Sequence, residues 1–301
     1  MIKITIITPC LNRKSFVAQA IDSVVTQGID GVEHIVVDGE STDGTLDVLA
    51  NYPELTIFCE PDLGVYDAMN KGLARAQGEI IGFLNTDDKY LPGALKCVLE
   101  TFDAHPDIDS VCGAVEIRSL EDGTVLEIGS EAMKKLRAGD LISAQTLTNA
   151  RFFRKRVFKE IGQFDITYPR CADRLFLAKC LLRDMRTQPI NQTIYQYGAH
   201  AGSLTFNIHG DNLDIFEEML TIAATNLSAA QSAPARRFFR RWYGWVSGYL
   251  AIKYASKGSL PKAWKKILDA SRFDPFWLVY FVKHSAWHIM TRHEWRPTRH
   301  S

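Results

Sequence analysis

Along the first hundred positions, short apolar runs rich in β-branched residues alternate with amphipathic stretches, a pattern that predicts a sheet built from βαβ units. Strands are predicted over 2–8, 34–37, 56–59 and 80–84. Between them, 16–26, 45–50 and 65–76 carry helical spacing, and in the last of these Val65, Ala68, Met69, Gly72, Leu73 and Ala76 share one face. Farther on, 110–117 and 124–128 read as strands joined by the turn Glu121-Asp122-Gly123, 174–182 as a helix and 190–197 as a last strand. Beyond Leu204 the pattern becomes wholly helical, with segments at 212–225, 235–255, 261–270 and 275–290. The expected fold class is α/β, a Rossmann-like and mostly parallel sheet over 1–205, followed by a helical region over 206–301.

Composition adds one asymmetry to this picture. The 301 residues are 46% hydrophobic, enough for a full core, and the formal net charge is zero. Yet residues 1–233 carry 21 basic and 32 acidic side chains, against 14 and 3 in residues 234–301. A basic C-terminal region predicts an anionic partner, and the acidic N-terminal part argues against nucleic acid. Residues 1–13 read as a first strand and not as a secretory signal. The longest apolar segment, 276–290, is interrupted by Lys283, His284 and His288, so no membrane span is predicted. Six cysteines without a CxxC pair predict reduced, buried thiols and a cytoplasmic chain.

The candidate chemistry begins at Leu84-Asn85-Thr86-Asp87-Asp88, directly after a predicted strand. Adjacent carboxylates at a strand exit repel each other, and a cation or hydrogen bonds must offset that. Either the pair holds Mg²⁺ or Mn²⁺, or Thr86 or Asp87 caps the helix that starts near Pro92. A second strand runs into Asp38-Gly39-Glu40-Ser41-Thr42-Asp43-Gly44-Thr45, where Asp43 and Gly44 suit a turn and Asp38 has no obvious local task. No GxGxxG follows the first strand, which disfavours a dehydrogenase, and residues 8–14 lack the Gly-rich loop of a nucleotidyltransferase.

Four segments taken in order resemble the family 2 glycosyltransferases: Thr8-Pro9-Cys10-Leu11-Asn12-Arg13, the VDGESTDGT run from Val37, Glu60 to Gly72, and the NTDD site. The similar subgroup makes bacterial capsule, exopolysaccharide, lipopolysaccharide and glycolipid. The resemblance implies a GT-A fold with a nucleotide-sugar-binding half over 1–110 and an acceptor half over 111–205. It implies that Pro9, Asn12 and Arg13 line the nucleotide pocket, that Asp38 meets the base, and that Asp62, Lys71 and Asp87 serve the donor. Asp88 corresponds to the metal-binding DxD, although Asn85 stands where the first acidic residue often stands. The run Gly162-Gln163-Phe164-Asp165 followed by Ala172-Asp173 is similar to the GxFD and acidic region, which makes Asp173 the general base or the cap of the following helix. His200 is a third metal ligand or an ordinary loop residue. An expected His-Gln pair is represented only by Ala144-Gln145. The implied activity is inverting, Mn²⁺- or Mg²⁺-dependent transfer to a saccharide or lipid-linked acceptor. The alternative is a non-catalytic sugar-nucleotide-binding or scaffold component.

From Arg236 to Trp245, arginines interleave with Phe238, Phe239, Trp242 and Tyr243. This composition suits either an anionic membrane surface, making the chain peripheral on the inner face of the cell membrane, or a packed helical subdomain.

Overall fold

A computed structural model of the chain describes residues 2–128, 136–143, 148–200 and 213–291. It divides into two compact units, one of residues 1–136 and 146–208, the other of 137–145 and 209–301.

The first unit is a nine-stranded sheet flanked by helices. Strands β1 (Ile4–Cys10), β2 (Val32–Asp38), β3 (Thr56–Cys59) and β4 (Ile80–Phe83) are parallel, in the order β3-β2-β1-β4. They alternate with α1 (Val17–Val25), α2 (Thr45–Leu49) and α3 (Val65–Arg75), as the apolar spacing predicts. After the two-residue β5 (Lys89–Tyr90) and α4 (Ala94–Ala104) the sheet becomes mixed. There β6 (Ser110–Ser119) pairs antiparallel with β7 (Val125–Ile128) and β8 (Arg151–Arg154), and parallel with β9 (Thr187–Ala199). Strand β8 also pairs antiparallel with β4, joining the two halves. Helices α6 (Lys155–Ile161) and α7 (Ala172–Leu182) complete the unit. The sequence pattern missed β5, β8, α6 and the helix Ala138–Ser143, because each is too short to show a period of its own.

Ile4, Ile6, Val98, Phe102 and Phe152 belong to one buried cluster, and Cys10, Val17, Ile21, Val36 and Leu49 to a second. Four of the six free cysteines are buried, as expected; Cys97 is half-buried and Cys59 exposed.

His34 lies inside the parallel sheet with Nε2 2.9 Å from Thr8 Oγ1 and no partner for Nδ1. Burial lowers its pKa to about 3. The unfolded chain therefore takes up a proton near pH 6.5 that the folded chain refuses, and stability falls as the pH drops from 6.5 toward 3. We expect His34→Leu to remove a few kcal/mol of this acid sensitivity, read as a flatter Tm against pH over that window; an unchanged slope would assign the acid lability to other groups.

The second unit contains α5 (Ala138–Ser143), α8 (Leu213–Ala229), α9 (Ala233–Ser256), α10 (Leu260–Phe273) and α11 (Trp277–Thr291). Helix α9 is its centre and packs against the other four. Ser232 caps it, Oγ accepting from Ala235 N–H at 3.3 Å. Gly244 and Gly248 let α11 approach closely, since a β-carbon at either would meet Trp277 or Phe281. The aromatic residues Phe238, Phe239, Trp242, Tyr243 and Trp245 are buried in this unit. Among the described residues no helix is long and apolar enough to cross a membrane.

Candidate active site

Parallel strands leave their C-terminal ends together on one edge, and three of the sequence motifs meet there. The loops after β1 and β2 are laced by side chains. Asn12 N–H donates to Ser41 Oγ at 2.7 Å, and Thr42 N–H donates to Asn12 Oδ1 at 2.9 Å. Arg13 N–H reaches Thr45 Oγ1 at 2.8 Å, and Lys14 N–H reaches Asp43 at 3.0 Å. Asn12 (φ 53°) and Glu40 (φ 66°) hold left-handed backbone at this rim, a conformation that costs about 1–3 kcal/mol and persists where its surroundings enforce it. Pro9 is not in the loop: β1 runs on to Cys10, and Pro9 is buried opposite Val37.

Asp38 is fully buried and does have a local task. Its oxygens accept from Ser41 N–H at 2.7 Å and Ser41 Oγ at 2.6 Å, which closes the turn after β2. Asp62 accepts from Gly64 N–H at 2.8 Å, and its carboxylate lies where a β-carbon on Gly39 would stand, so the third loop rests on the second. Lys71 points at its own turn, donating to the Pro61 carbonyl and pairing with Asp67 at 2.9 Å.

The acidic loop after β4 separates its two carboxylates. Asp88 is 2% exposed and accepts three hydrogen bonds: Tyr195 Oη at 2.7 Å, Gly198 N–H at 2.9 Å and Asn85 Nδ2 at 3.1 Å. Burial, and then the charge of Asp87, push its carboxyl well above the usual carboxylate range despite those three donors. The pairing of β5 with β9 turns Asp88 inward, and a β-carbon on Gly198 would collide with the Asp87 carbonyl. Asp87 is the carboxylate that meets the imidazole, with Oδ2 3.0 Å from His200 Nε2. Phe16 stacks on the His200 ring at 5.2 Å between centroids. Asp88 and His200, expected as joint metal ligands, thus have separate partners.

The described residues contain no group of three or more His, Cys, Asp or Glu side chains close enough to hold a metal alone. A hard divalent cation bound through one or two protein groups, with waters and substrate phosphates filling its other positions, needs no such cage. The carboxylate–imidazole pair of Asp87 and His200 fits that more modest requirement.

Asp173 lies in the first turn of α7, whose N-cap is Cys171, so Asp173 is not itself the cap. Tyr66 Oη donates to its Oδ1 at 2.9 Å and Thr148 Oγ1 to its Oδ2 at 3.0 Å. Neither donor is evident in the sequence, because they lie 107 and 25 positions away in the chain. The YDAMNKG helix offered one signal: its Tyr66 is an aromatic carrying a hydroxyl on an otherwise apolar face. Farther along that helix, Asn70 clamps the GxFD segment, donating to the Phe164 carbonyl at 2.8 Å and accepting from Phe164 N–H at 3.0 Å. Phe164 then enters a ring cluster with Phe83, Phe158 and Phe176.

Tyr195 and Tyr197, side by side on β9 with centroids 4.9 Å apart, connect the acidic loop to the Asp173 region. Burial raises the Tyr197 phenol well above its ordinary range, and the charges of both Asp88 and Asp173 add to that. The Ala144-Gln145 position lies outside the described residues.

The family profile described as Glycosyl transferase family 2 matches residues 5–162. A PGL/p-HBAD biosynthesis glycosyltransferase of Mycobacterium bovis is 32% identical over 184 residues, 58% of this chain and 68% of the relative. Among solved structures, residues 1–349 of S. aureus TarS in complex with UDP-GlcNAc superpose with a TM-score of 0.65 at 18% identity, over 94% of this chain and 89% of that one. The mannosyltransferase PcManGT from Pyrobaculum calidifontis, in complex with GDP-Man and Mn²⁺, gives 0.58 at 18% identity, over 97% and 87%. The fold is therefore that of these transferases, in line with the expected GT-A architecture.

Proposed function

Since the chain belongs to glycosyl transferase family 2, we propose that it transfers a sugar, with inversion, from a nucleoside-diphosphate donor to a saccharide or lipid-linked acceptor in cell-surface polysaccharide or glycolipid synthesis. The observation that carries this reading is the presence in one unit of a carboxylate held by two hydroxyls, Asp173, and of a carboxylate–imidazole pair, Asp87 and His200. A non-catalytic scaffold has no need of either arrangement.

In this reading residues 1–110 bind the donor and 111–205 the acceptor. The laced loops through Asn12, Arg13 and Asp38 hold the nucleoside, with Asp62 beside them and Lys71 bracing the turn that carries it. Asp87 and His200 would hold Mn²⁺ or Mg²⁺, while Asp88 fixes the loop that presents Asp87. When bound, the cation offsets negative charge that develops on the departing nucleoside diphosphate. Asp173 takes the proton of the acceptor hydroxyl as its oxygen attacks the anomeric carbon from the side opposite the leaving group. Tyr66 and Thr148 hold that carboxylate in one orientation, which is how a positioned base contributes about 10²–10⁴ in rate.

The test is incubation of the full chain with UDP-, GDP- and dTDP-sugars, with Mn²⁺ or Mg²⁺, and measurement of nucleoside-diphosphate release. One donor class should turn over, and EDTA should stop it. If no donor is turned over and none shifts the Tm, the proposal fails.

A further inference from the structure

We infer that the helical unit rests on an anionic membrane surface through the solvent-facing sides of α10 and α11, and not through the arginine-rich start of α9. The sequence alone points to 236–245, where cations and aromatics interleave, but packing removes that segment's aromatics from any interface. Phe238, Phe239, Trp242 and Tyr243 are buried, and Arg240 is paired at 2.7 Å with the buried Asp274. What remains there is a cluster of arginines without an apolar anchor.

The anchors are on the next two helices. In α10, Ala263 and Ala270 face the unit's core, whereas Leu260, Trp264 and Leu268, four residues apart, form a single stripe toward solvent, with Trp264 62% exposed. In α11, Trp277 packs inward near Gly244 while Val279 and Val282 look outward, and Phe276, directly before the helix, is 61% exposed. Exposed Lys265, Arg272 and Lys283 are neighbours of these stripes by helical spacing, while exposed Lys257 ends α9 and Lys262 lies over the Tyr254 ring. The only exposed acid between residues 257 and 283 is Asp269, since Asp274 is buried.

An apolar stripe edged by cations matches a bilayer interface in both respects. Its side chains enter the acyl boundary, Trp sits at headgroup level, and Lys and Arg meet anionic headgroups. A second copy of the chain fits poorly, because a two-fold contact would bring the same cations face to face. The helices are also too short and too polar to span the bilayer, so they would lie along the surface.

The test sediments the full chain with vesicles of phosphatidylcholine alone or of phosphatidylcholine with phosphatidylglycerol, at low and high salt, without any donor. Its outcome is therefore independent of the proposed transfer reaction. The chain should bind only the anionic vesicles and release as salt rises. Trp264→Ser with Leu268→Ser should weaken binding at least about tenfold. Lys265→Gln, Arg272→Gln and Lys283→Gln together should weaken it about a hundredfold, at about fivefold per cation. Arg236→Gln with Arg237→Gln should leave it unchanged. All these side chains are exposed, and an unaltered Tm will show that the variants remain folded. The inference is overturned if anionic vesicles are not bound at low salt, if the Trp264 and Leu268 variant binds as well as the wild type, or if the α9 arginine variant is the one that loses binding. A concentration-dependent dimer abolished by the Trp264 and Leu268 changes, without vesicle binding, would overturn it in favour of self-association.

Discussion

Asp173→Asn should lower the transfer rate by at least about 10²-fold, roughly 3 kcal/mol in the barrier, with donor affinity nearly unchanged. The substitution keeps the side chain's shape and its acceptor oxygen for Tyr66, which donates at 2.9 Å in the wild type. Thr148 Oγ1, now 3.0 Å from Oδ2, can turn its hydroxyl to accept from the new amide. The fold and the donor pocket are therefore retained, and the loss is confined to the ability to take a proton. Steady-state kinetics checks this: kcat should collapse while the donor KM and the Tm stay close to wild type. A variant that turns over at near wild-type rate would move the base elsewhere. A variant that loses donor affinity as strongly as rate would make Asp173 part of donor binding.

The second large effect separates neighbouring aspartates. Asp87→Ala should abolish the metal-dependent part of nucleoside-diphosphate binding while lowering the stability of the ligand-free chain less than Asp88→Ala does, because Asp87 is half-buried beside His200 whereas Asp88 is buried. In a thermal-shift titration with UDP, GDP and dTDP, the wild type should gain about 2.7 kcal/mol at a ligand concentration a hundred times Kd, and only with Mn²⁺ present. Asp87→Ala should lose nearly all of that gain. Asp88→Ala should behave differently, since it strips the acceptor from Tyr195 Oη, Gly198 N–H and Asn85 Nδ2 in a buried setting. Leaving such groups unpaired costs about 1–3 kcal/mol each, so this variant should melt several degrees lower even without ligand. Equal metal-dependent stabilisation of Asp87→Ala and wild type would remove Asp87 from the metal site. An unaltered Tm for Asp88→Ala would show that its hydrogen bonds are not structural.

The sequence by itself determined the α/β class, the order of the parallel strands' units and the four helices after residue 212, because alternation and helical spacing are local consequences of which side of an element meets the core. It also determined the family, through motifs at the strand ends from Pro9 to Asp88. It could not supply the division of labour within those motifs. Asp87 and Asp88 are equivalent as neighbours in a chain; only the pairing of β5 with β9 turns one toward Tyr195 and Gly198 and the other toward His200. Asp38 looked free for a ligand until the turn brought Ser41 onto both its oxygens. Tyr66 and Thr148 gained their meaning from α7, and the tail's aromatics lost theirs as a surface once α10 and α11 packed on α9. The contact of Asp38 with Ser41 spans only three positions, but each of the others joins segments the sequence keeps apart or selects one of two identical side chains. Such contacts follow from how the elements close around a core, and no spacing rule along the chain encodes them.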